Sequence, residues 1–375
     1  MTKKLMLATV LSILVISLVI GGCSSPGPTQ TAQGIWPEKG WEPPDFINVA
    51  STSTKGTGYT ASVAASATFQ EVSGVKFTTI PGDETMDRML PLRQGESQFC
   101  WSPADDLLFM LQGALLFDQP QWGPQSVRAV YIGGALDQGY ATRANSGIKT
   151  WADLKGKKLA QYPKDTPDEM MQDAIFAYLK AHPDYPDLTW ADVEPVPVAG
   201  FGEGQDSIIS GASDMAKASA GSSGAQELAA SINGIHWMPL PNKTAGDKAA
   251  WAAFQEVLPC LFPNTATLGA GLSPEKPADI WGYSYHVVAY DYGVDDNLAF
   301  WMTKLIHENY EGYKGSHAYL EKWTEARVLN TDGWFVPWHE GSIKYWKAVG
   351  KWTDEMEAKQ QAMLKTFPAT NTTWK

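Results

Sequence analysis

Short apolar strands, each followed by a turn of Gly, Ser, Thr or Pro and then by a helix, recur along this chain from Ile47 onward. Few architectures accommodate that alternation. Parallel strands joined by crossover helices need a sheet covered on both faces, and their turns gather beyond the carboxyl ends of the strands, where α/β proteins hold ligands. The first unit sets the pattern: residues 47–50 read as a strand, 51–58 as a loop, and 59–70 as a helix of Ala, Ser and Thr. Gly56 and Gly58 let the backbone turn tightly and let a ligand come close. Ser51, Thr52, Ser53, Thr54 and Thr57 supply hydroxyls, and the first helical turn supplies unpaired N–H groups, so the loop suits an anion. The same residues also suit an ordinary helix N-cap in a strand-to-helix turn. No G-x-x-x-x-G-K-[ST] occurs, so the loop is not a nucleotide P-loop.

Further units follow in order. Residues 75–80 read as a strand, 81–83 as its turn and 84–92 as a helix; 96–101, 102–103 and 104–115 repeat the sequence, and 127–132 is the next strand. A second series begins after residues 146–156. It runs through strand 158–162, turn 163–167 and helix 168–181, then strand 193–198, helix 203–210, strand 214–218 and turn 219–223, and closes with a helix to about residue 232 and strand 235–240. Beyond Cys260, a strand at 286–290 and helices at 296–308 and 352–364 complete the chain. Two series with facing turn edges predict two lobes and a cleft between them, a usual place for a small ligand. The expected fold is α/β: two mixed or parallel sheets flanked by helices, with lobe 1 from residues 46–137 and 288–375 and lobe 2 from 138–287.

The N-terminus reads as a targeting segment. Lys3 and Lys4 precede a mostly apolar stretch, residues 5–20, that is short for a membrane span, and Ile20-Gly21-Gly22-Cys23 resembles a bacterial lipobox. Residues 1–22 are therefore expected to be a lipoprotein signal and Cys23 the lipidated residue. Residues 23–45, opening with Ser, Pro, Gly and Gln, read as a tether that need not fold. Such a protein is expected outside the cytoplasmic membrane, in the periplasm or at the cell surface, held by its N-terminal lipid. A formal net charge of −12 argues against nucleic acid as a partner. Sixteen Trp read best as core. Cys100 lies in an apolar strand, and it and Cys260 are expected to be free, buried thiols.

Signatures of chemistry are missing. His182, His236, His286, His307, His317 and His339 form no H-E-x-x-H and no pair at ligand spacing, and there is no cysteine cluster, so no metal or cofactor is expected. No G-x-S-x-G elbow occurs, and G-x-G-x-x-G fails after Gly58, where residue 61 is Ala. Asp105-Asp106 and Asp295-Asp296 read as charges at helix N-termini rather than acid/base dyads.

Several motifs, taken together, resemble one family: the TAXI-type solute-binding proteins of TRAP transporters. Thr54-x-Gly56-x-x-Tyr59 is similar to its glycine-rich first loop, although further glycines usually stand where Thr52 and Ser53 stand here. Gly74-Val75-Lys76, Pro81-Gly82 and Leu90-Pro91-Leu92-Arg93-x-Gly95-x-x-Gln98-Phe99 resemble the following strand, turn and strand. Trp122-Gly123-Pro124-Gln125 resembles one branch of the family. Ser146-Gly147-Ile148-Lys149 with Asp153-Leu154-Lys155-Gly156-Lys157 resembles the start of the second lobe, a match shared with other binding-protein families. Pro337-x-His339-x-Gly341-Ser342-x-x-Tyr345 followed by Gly350 resembles the C-terminal segment.

The resemblance implies a monomeric extracytoplasmic receptor with a type II periplasmic-binding-protein-like fold. It would close on a small organic anion, glutamate-like or a 2-oxo-dicarboxylate, and deliver it to a TRAP membrane permease. The expected ligand-binding residues are Thr54, Gly56, Thr57, Tyr59, Gly82, Asp83 and Ser102 from lobe 1, with Lys164, Thr166 and Ser219 from lobe 2. No arginine stands out as a carboxylate clamp, so N–H and hydroxyl donors would hold the anion. Two other readings share the same sequence. One is a periplasmic enzyme using His236 or His339 near the cleft, and the other is a sensory lipoprotein without a permease.

Overall fold

The computed structural model describes residues 37–369. The expected export signal, Cys23 and the first part of the expected tether lie outside these residues, as does the chain beyond 369. Among the described residues no helix is long and apolar enough to cross a membrane.

Lobe 1 opens with β1 (Phe46–Ser51), α1 (Thr57–Ser73), β2 (Lys76–Pro81), α2 (Thr85–Gln94), β3 (Phe99–Pro103) and α3 (Ala104–Gln112). Small residues on one face of α1, among them Ala61, Ala65 and Ser62, are buried together with Phe69, which lets the helix lie close to the sheet. Gly74, at φ 73°, ends α1 by donating to Gln70 O (2.9 Å), a left-handed cap that favours glycine. In α3 every residue from Ala104 to Leu111 is buried, Asp105 and Asp106 included.

A long strand, β4 (Val127–Arg143), then leaves lobe 1 and enters lobe 2. Lobe 2 contains β5 (Lys158–Gln161), α4 (Pro167–Ala181), β6 (Glu194–Pro197), α5 (Phe201–Ser210), β7 (Met215–Ser219), α6 (Ser223–Ala230), β8 (Ile235–Trp237), α7 (Ala245–Val257) and β9 (Phe262–Ala266). The chain returns through a second long strand, β10 (Ala278–Tyr290). Helices α8 (Asp296–Glu308), α9 (Tyr310–Tyr313), α10 (Glu325–Val328), α11 (Glu340–Ala348) and α12 (Asp354–Thr366) then follow.

The two sheets expected from the sequence are continuous. Strand order is β2-β1-β3-β10-β4-β7-β5-β6, with β8 also on β4 and β9 also on β10. β1 pairs in parallel with β2 and β3, and β5 with β6 and β7; the antiparallel pair β4–β10 joins these parallel groups. Its register shifts between Ser284 and His286 and again between Val287 and Val288.

Sequence reading placed only residues 127–132 and 286–290 of these long strands. Gly133-Gly134 looks like a strand break, because glycine is a poor strand former. Here a Cβ on Gly133 would lie 2.5 Å from the Trp323 ring, and one on Gly134 2.3 Å from Lys322 O. The bare backbone lets the C-terminal segment settle on the strand. There Trp323, fully buried, stacks on Trp101 at 4.6 Å and on Tyr131 at 5.6 Å. Helix α7 and strand β9 were also missed. Cys100 and Cys260 are free, Cys100 buried and Cys260 half-buried. Ahead of β1, Glu38 N–H donates to Asn297 Oδ1 (2.8 Å) and Trp41 lies 6.5 Å from Trp301.

Candidate functional site

After β1 the backbone doubles back: Gly56 N–H donates to Ser53 O (2.8 Å) and Tyr59 N–H to Thr52 Oγ1 (3.3 Å), which starts α1. A Cβ on Gly58 would lie 2.1 Å from Tyr285 Oη, so glycine alone allows the start of α1 to sit against β10. The loops after β2 and β7 and the start of α5 approach the same region, and polar contacts tie them together. Asp83 Oδ1 accepts from Gly202 N–H (2.8 Å) in the first turn of α5, where the helix dipole favours a carboxylate. Lys55 forms an ion pair with Asp206, Ser223 N–H donates to Lys55 O (3.1 Å), and the hydroxyls of Thr57 and Ser219 meet at 2.9 Å.

Two chambers lie within the cleft, and Thr57 and Leu136 line both. The outer one, about 400 Å³, is bounded by Thr60 of α1, Asp137 of β4, Ser223 and Gln226 of α6, Leu268, and the segment His317–Lys322. Lys322 pairs with Asp137 at 2.5 Å on its wall, and His317 Nε2 lies 3.1 Å from Thr60 Oγ1. The inner one is only about 40 Å³ and carries far more charge, with five carboxylates (Asp83, Glu84, Asp105, Asp106, Asp168) against Arg88 and Lys217.

Each cation in the inner chamber has its own acid. Arg88 Nε donates to Asp106 Oδ2 (2.7 Å), and Asp106 also accepts from Thr85 Oγ1 (2.7 Å) and Ser102 Oγ (3.3 Å). Burial works against the guanidinium charge, but Asp106 outweighs it and raises the Arg88 pKa above its usual range. Lys217 pairs with Asp168 and lies over the rings of Tyr162 (5.5 Å) and Phe201 (5.1 Å); burial lowers it to about 8, although Asp105 and Glu84 pull the other way. Burial pushes Glu84 up to about 7 and, with Asp106 adding to it, Asp105 up to about 6.

These shifts fix the sign of a pH dependence. Both folded-state values lie above the ordinary 4.5 and 3.8, so the burial of these acids contributes stability that is fully present below about pH 4 and is lost as pH rises through 6 and then 7. Stability near pH 5 is therefore expected to exceed that near pH 8 by on the order of a few kcal/mol, before other groups contribute. Urea unfolding at both pH values checks this, and the double variant E84Q/D105N should flatten the profile. A profile unchanged in that variant would assign it to other groups.

The expected site residues fall into three sets. Gly56, Thr57, Asp83 and Ser219 line the chambers. Thr54 and Gly82 line an open groove of about 390 Å³ outside them, which Asp83 shares. Tyr59, Ser102, Lys164 and Thr166 line neither chamber. Ser102 is buried on Asp106, Lys164 is exposed, and Thr166 spends its hydroxyl on the N-cap of α4, accepting from Glu169 N–H (3.1 Å).

His236 and His339 are also away from the chambers. His236 Nε2 meets Lys149 O (3.1 Å), and His339 Nδ1 accepts from Gly341 N–H (3.2 Å) at the start of α11. Sequence reading noted Glu84 beside Asp83 as negative charge at the second turn and took Asp105-Asp106 for helix N-terminal charges, but it singled out neither Arg88, Asp168 nor Lys217. A signal did exist: Asp105-Asp106 open a helix with no polar face, and Lys217 sits within a five-residue apolar strand, MAKAS.

A model of the NMT1-like family matches residues 50–350. No curated protein matches the chain. Among solved structures, the periplasmic binding protein BugD superposes with a TM-score of 0.50 at 9% identity, covering 86% of this chain and 98% of that one. A protein of Bordetella bronchiseptica RB50 gives 0.46 at 15% identity over 86% and 90%. The aliphatic sulphonate binding protein SsuA of Escherichia coli gives 0.36 at 14% over 88% and 86%. The likeness to BugD shows the fold, that of a type II periplasmic binding protein.

Proposed function

The chain belongs to the NMT1-like family, and from that premise we propose that it is an extracytoplasmic receptor that closes on a small carboxylate-bearing solute and delivers it to a membrane permease of the TRAP type. The observation that carries this reading is the outer chamber. It lies between the lobes, draws its walls from both of them and from β4, and has the volume of a small-molecule site. Thr57 and Thr60 at the start of α1, Ser223 at the start of α6, and Lys322 supply donors and positive ends of helix dipoles for a carboxylate. A glutamate-like acid or a 2-oxo-dicarboxylate fits that donor set. Delivery by a TRAP permease rests on the TAXI-type motifs, and membrane attachment on Cys23.

Thermal unfolding of the purified protein against amino acids and mono-, di- and 2-oxo-carboxylates tests the reading. A solute at about 100 times its Kd stabilises the folded state by about 2.7 kcal/mol, a shift of a few degrees for a protein of this size. A flat panel, repeated after unfolding and refolding to strip retained solute, would sink the carboxylate reading. Thr57→Ala and Ser219→Ala are each expected to weaken binding by about 1 kcal/mol, or several-fold, because each removes one hydroxyl from the partition that closes with the lobes. Titration calorimetry reads this, and unchanged affinity in both variants would place the solute elsewhere.

A further inference from the structure

We propose that the inner chamber is a subsite for an organic ammonium group, so that the solute is an amino acid or amine rather than a carboxylate lacking one. This rests on the receptor reading and narrows it. Arg88 is assigned to Asp106, Lys217 to Asp168 and Asp83 to Gly202 N–H. Of the other two acids, Glu84 gives one oxygen to the capping box of α2 and Asp105 one to a backbone N–H, and one oxygen of each remains. Glu84 Oε1 and Asp105 Oδ1 are both buried without a hydrogen-bond partner, and Asp105 is just 2% exposed. The Tyr285 side chain, 1% exposed, borders the same chamber.

Buried carboxylate oxygens with no donor are costly, and an ammonium group supplies what they lack, namely three N–H donors and a compensating charge. Size agrees. A chamber of about 40 Å³ holds a group of water-like size, whose share of liquid volume is about 30 Å³, but not a whole dicarboxylate. Because Thr57 and Leu136 line both chambers, a solute with its ammonium inside would lay its remainder in the outer chamber, among the donors that suit a carboxylate. A metal ion is the poorer occupant, since among the described residues no group of three His, Cys, Asp or Glu could hold one.

Calorimetric titration with pairs that differ in the ammonium group tests this: L-glutamate against 2-oxoglutarate, L-alanine against pyruvate, with putrescine as an amine lacking a carboxylate. The amine-bearing member of at least one pair is expected to bind about tenfold or more tightly than its oxo partner, and E84Q and D105N should each lower that affinity about tenfold while sparing the oxo acid. An oxo acid that binds as tightly as its amine partner, or an amine whose affinity survives both substitutions, overturns the ammonium subsite and leaves the receptor reading standing. No binding by any probe overturns both. Each substitution removes a buried charge, which favours folding; should a variant still unfold, the paired titrations on the native protein decide.

Discussion

Replacing Arg88 by Met is expected to lower stability by about 3–5 kcal/mol, as breaking a buried ion pair does. The Arg88 side chain is 8% exposed and that of Asp106 1%, and the guanidinium bonds Asp106 directly, whereas Lys217 acts on it only through space. Without it, Asp106 keeps its bonds from Thr85 and Ser102 but holds an uncompensated charge in a chamber already crowded with carboxylates. Asp106 must then take up a proton or the lobes must part. Urea midpoints compared at constant slope measure the loss. The double variant R88M/D106L should recover much of it, because a buried ion pair replaced by apolar groups of similar volume is often neutral. A loss below about 1 kcal/mol in R88M would mean that water reaches the pair.

Trp323→Ala should cost a similar amount, about 3–5 kcal/mol, for a different reason. The indole is fully buried, stacked on Trp101 and Tyr131 and edge-on to Tyr319 at 5.9 Å, and it covers Gly133 of β4. Removing it opens a cavity at the crossing between the lobes. Lys322, the preceding residue, pairs with Asp137 in the wall of the outer chamber, so solute affinity should fall together with stability. Trp323→Phe should restore most of both. Affinity unchanged in Trp323→Ala, with stability lost, would separate the core from the binding wall.

The alternation of strands and helices was legible because it is local. Periodicity, turn residues and caps act within a few positions, and so the loop after β1, the turn at Pro81–Asp83 and the approach of Ser219 could be placed before any fold was known. The same locality misled at Lys164 and Thr166. A Thr before a helix looks alike whether its hydroxyl serves a solute or, as here, the N–H of Glu169. It also ended β4 too early, since what makes Gly133 and Gly134 suitable is Trp323 and Lys322, far along the chain.

The chamber acids show the division most plainly. From sequence, Asp105 and Asp106 are charges favouring a helix N-terminus, and Arg88 and Lys217 are unremarkable cations. Their meaning depends on burial and on partners far along the chain: α2 meets α3 through Arg88 and Asp106, and α4 meets β7 through Asp168 and Lys217, and all of them border one chamber. Sequence by itself determined the strand–turn–helix units and the edge on which their turns lie, since short-range stereochemistry and hydrophobic pattern suffice for these. Tertiary structure alone decided which charges are paired, which are left over, and how large the space beside them is, because Coulomb energy and desolvation depend on distances that the order of residues does not specify.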